Sequence, residues 1–322
     1  MTIFNTTFMQ MLMMLVLISA GFFIRKRKLV PDNTHTVLSK LETLIFLPAL
    51  NFSTQLTQCT VETLRDNAFL ILVGIPIVLI PAAISFPISH WLTKKNADKD
   101  LARYESNVYK YAISFANYGF VGNFIILGIW GNELYYKYSL FTFCFTLVCQ
   151  SWGLYLLIPK KQGDSTPKSI RKALLSPPIV AMFLGMILGL AGAKNIMPSF
   201  LNTALDYASS CMGPVAMIIM GFVIGGFNIK GLITIKKSYL VTLLRLVIIP
   251  SLTLVVLKLL GASEELLILA LVATATPIGL NTIIFPAAYG GEVKHGASLV
   301  TISQVLSVIT LPLLYLVFIV LI

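Results

Sequence analysis

The chain has 322 residues, of which 57% are hydrophobic and 11% charged, with a mean hydropathy of +0.86. A soluble domain carries about 25% charged residues, so this composition excludes a water-exposed globule and puts most of the chain in a bilayer. The net charge of +11 could suggest nucleic acid, but no basic-aromatic module accompanies it and its placement points to membrane topology.

A span needs ~20 mainly apolar residues. Ten segments meet that description, at about 4–24, 36–56, 67–92, 106–127, 137–158, 174–193, 203–227, 238–260, 265–289 and 296–321. The first is a span and not a cleaved leader: its apolar run precedes Arg25-Lys26-Arg27-Lys28, whereas a signal peptide has its basic residues first. No long hydrophilic tail follows the last span.

Orientation follows from loop cations. Loop 1–2 carries Arg25 to Lys28. Loop 3–4 carries Lys94, Lys95, Lys99 and Arg103, and loop 5–6 carries Lys160, Lys161, Lys168, Arg171 and Lys172. Loops 7–8 and 9–10 add Lys230, Lys236, Lys237 and Lys294, while the even-numbered loops hold only Arg65, Lys137 and Lys194. The odd-numbered loops are therefore expected in the cytoplasm and both termini outside the cell membrane.

Five spans per half invert the second half relative to the first. Matching features sit at similar offsets. The second spans carry Pro48 (LPALN) and Pro214 (CMGPVAM), and the third carry Pro76 (GIPIVLIP) and Pro250 (IIPSLTL). The fourth carry AISFANYGFVGN and ATATPIGLN. The expected fold is thus an all-α polytopic membrane protein: ten transmembrane helices as an inverted five-plus-five repeat (1–158 and 174–322), with helices 4 and 9 broken.

Breaks within hydrocarbon leave backbone groups unsatisfied and are tolerated only where protein or a water-filled cavity receives them. Paired broken segments at matching places mark a transporter's substrate site. That reasoning selects Asn117, Gly119, Gly122 and Asn123 in span 4, and Pro277, Gly279 and Asn281 in span 9, as substrate-binding candidates. Half-helix N-termini suit an anion, and the asparagine amides add donors for a carboxylate. The alternative is a plain kink whose Asn and Thr bond to neighbouring helices.

Ionisable residues inside spans are few and functional by default. Arg245 is a candidate anion partner, or pairs with an acid across the bundle, or snorkels to the interface. Lys110 and Lys258 read as snorkelling. Glu42 and Asp206 are possible protonation sites for coupling but read as interfacial. Thr276, Ser303 and Gln304 are candidate oxygens for a coupling ion, Na⁺ or H⁺, with helix–helix bonding as the plainer role.

Other chemistry has little support. Cys59, Cys144, Cys149 and Cys211 are scattered without metal-ligand spacing, and His35, His90 and His295 fall near loops or span ends. There is no GxxxxGK[ST], HExxH or GxSxG. No enzyme, cofactor, metal site or nucleic-acid partner is expected.

The stretch from Thr276 to Val317 resembles the auxin efflux carrier family of transporters. The family's second crossover has a Pro-x-Gly or Pro-x-Ala turn and then an Ala-x-x-Tyr-Gly ending, matched here by Pro277 to Gly279 and by Ala287 or Ala288 with Tyr289 and Gly290; its next helix has a serine-rich middle and a Leu-Pro, here Ser303, Ser307, Leu311 and Pro312. FANYGFVGNFIILGIWG, with Asn117, Gly119, Gly122 and Gly131, is similar to that family's first crossover. Members usually carry a proline shortly after the second glycine; here Asn123 and Phe124 stand there, so this break rests on glycine and asparagine. The resemblance implies a dimerising scaffold from spans 1, 2, 6 and 7, and a mobile transport domain from spans 3–5 and 8–10 that moves elevator-fashion. It also implies an organic anion: auxin in plants, and dicarboxylates such as malate or malonate in bacteria. The short loop 5–6 looks bacterial, which favours a dicarboxylate. A sodium-coupled symporter of the bile-acid type and a membrane sensor that binds the anion without moving it are the alternatives.

Overall fold

A computed structural model describes residues 2–157, 175–288 and 291–321. The cations expected at Lys160, Lys161, Lys168, Arg171 and Lys172, and the Tyr289-Gly290 pair, lie outside the described residues. The described chain is helical, and its one β-type contact is an isolated antiparallel bridge between Ala116 and Ile278.

The first half begins with α1 (Thr2–Lys26), α2 (Thr34–Leu41), a π-helical turn (Glu42–Phe46) and α3 (Leu47–Gln58). It continues through α4 (Val61–Asn67), α5 (Phe69–Thr93) and α6 (Lys99–Ser114). After a break come a π-turn (Tyr118–Gly122), α7 (Asn123–Phe141), α8 (Phe143–Val148), another π-turn (Cys149–Gly153) and α9 (Leu154–Leu157). Within α7 the helical path is interrupted at Gly131, whose φ of 75° lies in the region that favours glycine.

The second half runs through α10 (Pro177–Leu190), a 3₁₀ turn (Ala193–Ile196), α11 (Ser199–Gly225), α12 (Ile229–Ile233) and α13 (Lys236–Leu243). A π-turn (Leu244–Ile248) leads into α14 (Ile249–Leu259) and then α15 (Glu264–Ala275). After a second break follow α16 (Asn281–Ala288), α17 (Lys294–Tyr315) and a terminal π-turn (Leu316–Leu321).

Five helices are long and apolar enough to cross a bilayer unaided: Phe8–Lys26, Val61–Thr93, Ser199–Gly225, Lys236–Leu259 and Lys294–Leu321. A sixth is the pair Tyr118–Phe141 and Phe143–Leu157, bent by 52°. The other expected spans do not meet that test. The helix from Thr34 to Gln58 is more polar, Pro177–Leu190 has 14 residues, and α6 and α15 stop at breaks.

Helix packing follows the small residues. A methyl on Gly221 would collide with the Ile18 carbonyl, and one on Gly21 with the Ile218 carbonyl, so α1 and α11 touch backbone to backbone. Likewise α10 lies on α3, where a Cβ on Gly185 would come within 2.6 Å of the Phe52 carbonyl oxygen. With lipid as solvent, such close approach is a main source of helix association. The most enclosed part of the molecule is the region of the breaks: residues 267–280 are buried without exception.

Candidate functional site

Each break begins with a half-helix that enters from a capped end. Asp98 starts α6, its carboxylate accepting from the backbone N–H groups of Asp100 and Leu101 at 2.9 and 3.1 Å. Ser263 starts α15, accepting from Leu266 at 3.3 Å, with Glu264 and Glu265 in the first turn. Such caps satisfy N-terminal donors and favour negative charge there. Both half-helices then stop inside the molecule, at Ser114 and Ala275.

The two breaks meet. The Asn117 backbone N–H donates to the Pro277 carbonyl at 2.6 Å, beside the Ala116–Ile278 bridge. The Ile278 backbone N–H donates to Ser303 Oγ at 3.0 Å, so α17 supports the second break from behind. The interrupted backbone is thus satisfied across the crossing and by a side chain, as burial requires.

Arg245 serves the other side of the crossing. It is 1% exposed and donates from Nη1 to the Ile113 carbonyl (3.3 Å) and from Nη2 to the Ala273 carbonyl (3.5 Å). Those carbonyls belong to the last turns of α6 and α15, which lack intrahelical partners. One guanidinium therefore sits at two negative dipole ends. It is not among the residues that line the cavity described next.

That cavity, of about 310 Å³, lies against the start of the two second half-helices. Five of the residues expected from sequence line it: Asn117, Gly119, Asn123, Gly279 and Asn281. Asn117 is 4% exposed, and its side-chain Nδ2 has no hydrogen-bond partner among the described residues. Asn281 Nδ2 donates to the Tyr111 hydroxyl at 2.8 Å, and that hydroxyl lies 3.2 Å from Cys149 Sγ.

The remaining expected residues take other places. Gly122 faces Tyr138, whose hydroxyl donates to the Tyr118 carbonyl at 3.0 Å and whose position leaves no room for a Cβ. Pro277 contributes its carbonyl to the crossing. Thr276, Ser303 and Gln304 are buried outside the cavity wall, and the Thr276 hydroxyl and both Gln304 amide atoms lack hydrogen-bond partners among the described residues.

Several cavity residues were not selected from sequence. Tyr111, Asn51 and Tyr135 line it, with the Tyr135 hydroxyl donating to Asn51 Oδ1 at 2.7 Å and Asn51 Nδ2 to the Pro178 carbonyl at 3.0 Å. Asn51, three residues after Pro48 in an otherwise apolar stretch, carried a readable signal. Glu42 also lines the cavity and is fully buried, not interfacial, because α3, α10 and α11 close around its π-turn. Asp206, by contrast, is exposed. Lys110 lies with its ammonium 5.1 Å from the centre of the Phe86 ring.

Two polar clusters flank the bundle at the loop ends. Glu292 Oε1 accepts from the Lys294 backbone N–H (2.6 Å) and Oε2 lies 2.9 Å from His295 Nδ1. His295 Nε2 lies 3.1 Å from Glu105, which also accepts from Asn96 (2.7 Å) and faces Lys237 (3.5 Å). Burial alone would raise the Glu292 pKa, but the His295 ring and the backbone donors of Lys294 and His295 outweigh it and hold it below the ordinary value. At the α1–α2 loop, Arg25 pairs with Asp32, and burial together with the Arg25 charge lowers the His35 pKa.

Comparison with known proteins agrees with this architecture. A family described as membrane transport proteins matches residues 6–166 and 162–315. An uncharacterized transporter of Methanothermobacter thermautotrophicus is 23% identical over 304 residues, covering 94% of this chain and 95% of its own. An uncharacterized transporter of Methanocaldococcus jannaschii is 22% identical over 304 residues, covering 94% and 96%.

Proposed function

Because the chain belongs to the membrane transport protein family, the auxin efflux carrier-like group, we propose that it is a secondary carrier of a small organic anion. The substrate bears a carboxylate, as malate, malonate or an auxin-like acid does. The observation that carries the proposal is the crossing of two broken helices at the Asn117–Pro277 hydrogen bond beside a cavity. Arg245 occupies the negative ends of the first half-helices, which leaves the positive starts of the second half-helices for the cavity. A carboxylate there would accept from the Asn117 and Asn281 amides.

In this reading the chain forms ten spans as an inverted five-plus-five repeat, with both termini outside and a homodimer in the bilayer. The backbone contacts of α1 with α11 and of α3 with α10 support a scaffold from spans 1, 2, 6 and 7. Spans 3–5 and 8–10 then move the crossing elevator-fashion. The cavity reaches Ser39, Thr43 and Ser176, on the side of loops 1–2 and 5–6, so this conformation would face the cytoplasm. Sodium coupling is a second reading, favoured by the Thr276 hydroxyl and the Gln304 side-chain amide, which are buried and unpartnered among the described residues.

Purified protein in proteoliposomes tests the function. Labelled malate, malonate and an indole carboxylate are offered with and without pH and Na⁺ gradients. At least one should show saturable flux, and Asn117→Ala and Asn281→Ala should lose most of it while remaining folded. Saturable binding without flux would make the protein a sensor, and wild-type flux in both variants would remove the crossing as the site.

A further inference from the structure

A second cleft, of about 400 Å³, opens where α5 ends and α6 begins. It shares no residue with the cavity at the crossing. Lys94, Lys99, Arg103 and Lys110 line it together with His90, and among the described residues no Asp or Glu does. Lys94, Lys99 and Arg103 are exposed, and none of the three forms an ion pair among the described residues. The Lys110 ammonium donates to Asn107 Oδ1 at 3.3 Å.

The acids at this end of the bundle are committed elsewhere. Asp98 caps α6 through the Asp100 and Leu101 backbone N–H groups. Glu105 faces His295 and Lys237 and accepts from Asn96. Asp100 is exposed and outside the cleft wall. The buried hydroxyls of the wall are engaged too: Thr93 donates to the Ser89 carbonyl at 2.9 Å and Ser106 to Ser89 Oγ at 3.2 Å. The other loops expected on the same side carry their own cations, at Arg25 to Lys28, Lys160 to Lys172 and Lys230 to Lys237, and offer no acidic strap to cover the cleft.

The cleft stands at the level of lipid headgroups. α5 belongs to the stretch Val61–Thr93, which is long and apolar enough to cross a bilayer. Trp91, next in sequence to His90 and 55% exposed, marks its end, and tryptophan favours the bilayer–water interface. Ile80, Ile84 and Trp91 fall on one face of α5 by helical spacing, and all three are exposed. An uncovered apolar track therefore leads along the helix to the basic cleft.

A cleft lined by one sign of charge focuses its field and gathers counter-ions, and basic pockets between membrane helices suit anionic headgroups. A soluble phosphate would meet the same cations but gain nothing from the apolar track. We propose that the α5–α6 cleft binds the phosphate headgroup of an anionic lipid, whose acyl chains lie along Ile80, Ile84 and Trp91. Lys94 and Lys99 supply point charges to the phosphate oxygens, and the planar fork of Arg103 suits two oxygens at once. A lipid seated there holds the α5–α6 loop at headgroup level in this conformation. The inference goes beyond the anion-carrier reading and does not depend on it.

The full chain in neutral detergent is titrated with phosphatidylglycerol or with phosphatidylcholine of the same acyl chains, and bound lipid is counted by native mass spectrometry. Wild type should bind its first phosphatidylglycerol at least about tenfold more tightly than phosphatidylcholine, with a preference that shrinks as salt rises. The triple variant Lys94→Gln, Lys99→Gln, Arg103→Gln should bring the two lipids within about twofold of each other. A charge-matched control, Arg27→Gln, Lys230→Gln, Lys236→Gln, alters exposed cations outside the cleft and should keep the wild-type preference. Equal affinity of wild type for both lipids, or an equal loss in the control variant, overturns the proposal. Inorganic phosphate and glycerol 3-phosphate, added at the lipid's own concentration, should leave it bound; displacement by either assigns the cleft to a soluble phosphate and overturns the lipid. Should the triple variant fail to fold, Arg103→Gln alone must lower the preference, and an unchanged preference overturns the proposal. The readout is binding, so failure of every flux assay would sink the carrier reading and leave this inference standing.

Discussion

The Asn117 backbone N–H donates to the Pro277 carbonyl at 2.6 Å, and this bond ties together two helix breaks 160 positions apart in the chain. Each break would be expensive alone, because a helix that stops inside the bilayer leaves backbone groups without partners. Crossing them lets one break answer the other. The arrangement also sorts charge: helix ends with exposed carbonyls meet Arg245, while helix starts border the cavity.

Arg245→Ala should therefore act on stability before it acts on affinity. The variant strands the Ile113 and Ala273 carbonyls at two negative helix ends, and hydrogen bonds from a charged donor are worth ~1.5–3 kcal/mol each, so a loss on the order of 3 kcal/mol follows. Arg245→Lys should fall between, because an ammonium lacks the fork that reaches two carbonyls at once. Thermal unfolding in detergent without substrate checks this. A variant as stable as wild type with weakened anion binding would instead make Arg245 a direct anion contact.

The sequence disclosed the second break well, because Pro277, Gly279 and Asn281 each disfavour a continuing helix. The first break was legible only in outline: its glycines, Gly119 and Gly122, lie after the true interruption, where Phe115 is already extended. What stops α6 there is a bond to Pro277, a contact that local sequence does not contain. The two deeply buried charges were harder still. Glu42 and Arg245 each sit in a π-turn just ahead of a proline, Pro48 and Pro250, whose ring clashes with the preceding turn and widens it. The prolines were visible in matching spans, but which way the widened turn aims its charge depends on helices distant in sequence.

Tyr111→Phe tests how Asn281 is held. The tyrosine hydroxyl accepts from Asn281 Nδ2 at 2.8 Å and is 3.2 Å from Cys149 Sγ. Removing it frees the amide to turn away from the cavity. Losing one positioning hydrogen bond of ~1.4 kcal/mol corresponds to about tenfold in affinity. The expected result is an apparent KM for the transported anion raised about tenfold with little change in thermal stability. An unchanged KM would mean that Asn281 is oriented by its backbone alone.

Gly221→Ala and Gly231→Ala form a contrasting pair. A Cβ on Gly221 meets the Ile18 carbonyl in the α1–α11 contact, whereas one on Gly231 meets nothing within 4 Å. Overpacking of this kind costs ~1–3 kcal/mol, while replacing a helical glycine with open space around its Cβ position, such as Gly231, by alanine gains roughly 0.5–1 kcal/mol. The two variants should move the melting temperature in opposite directions. A neutral Gly221→Ala would show that α1 and α11 separate readily, contrary to a rigid scaffold.

The Glu292 clasp should confer a pH dependence of its own. Its pKa in the folded protein lies below the ordinary 4.5, despite burial that opposes this, because the His295 ring and the Lys294 and His295 backbone donors favour the carboxylate. The folded state therefore binds fewer protons than the unfolded one. The stabilisation is complete above pH 4.5 and is lost as pH falls below 4.5 through the folded value. Glu292→Gln removes the charge at every pH, so its melting temperature should lie below that of wild type at pH 7 and the gap should narrow as the medium is acidified below pH 4.5. The clasp also fixes residues 291–294, which connect the second crossing half-helix to α17, and the Tyr104 hydroxyl holds the Glu292 carbonyl at 2.8 Å. Amide exchange in α16 and the start of α17 should accordingly rise in the variant at pH 7. A gap between variant and wild type that does not narrow at all on acidification below pH 4.5 would mean that Glu292 acts through packing and not through its charge.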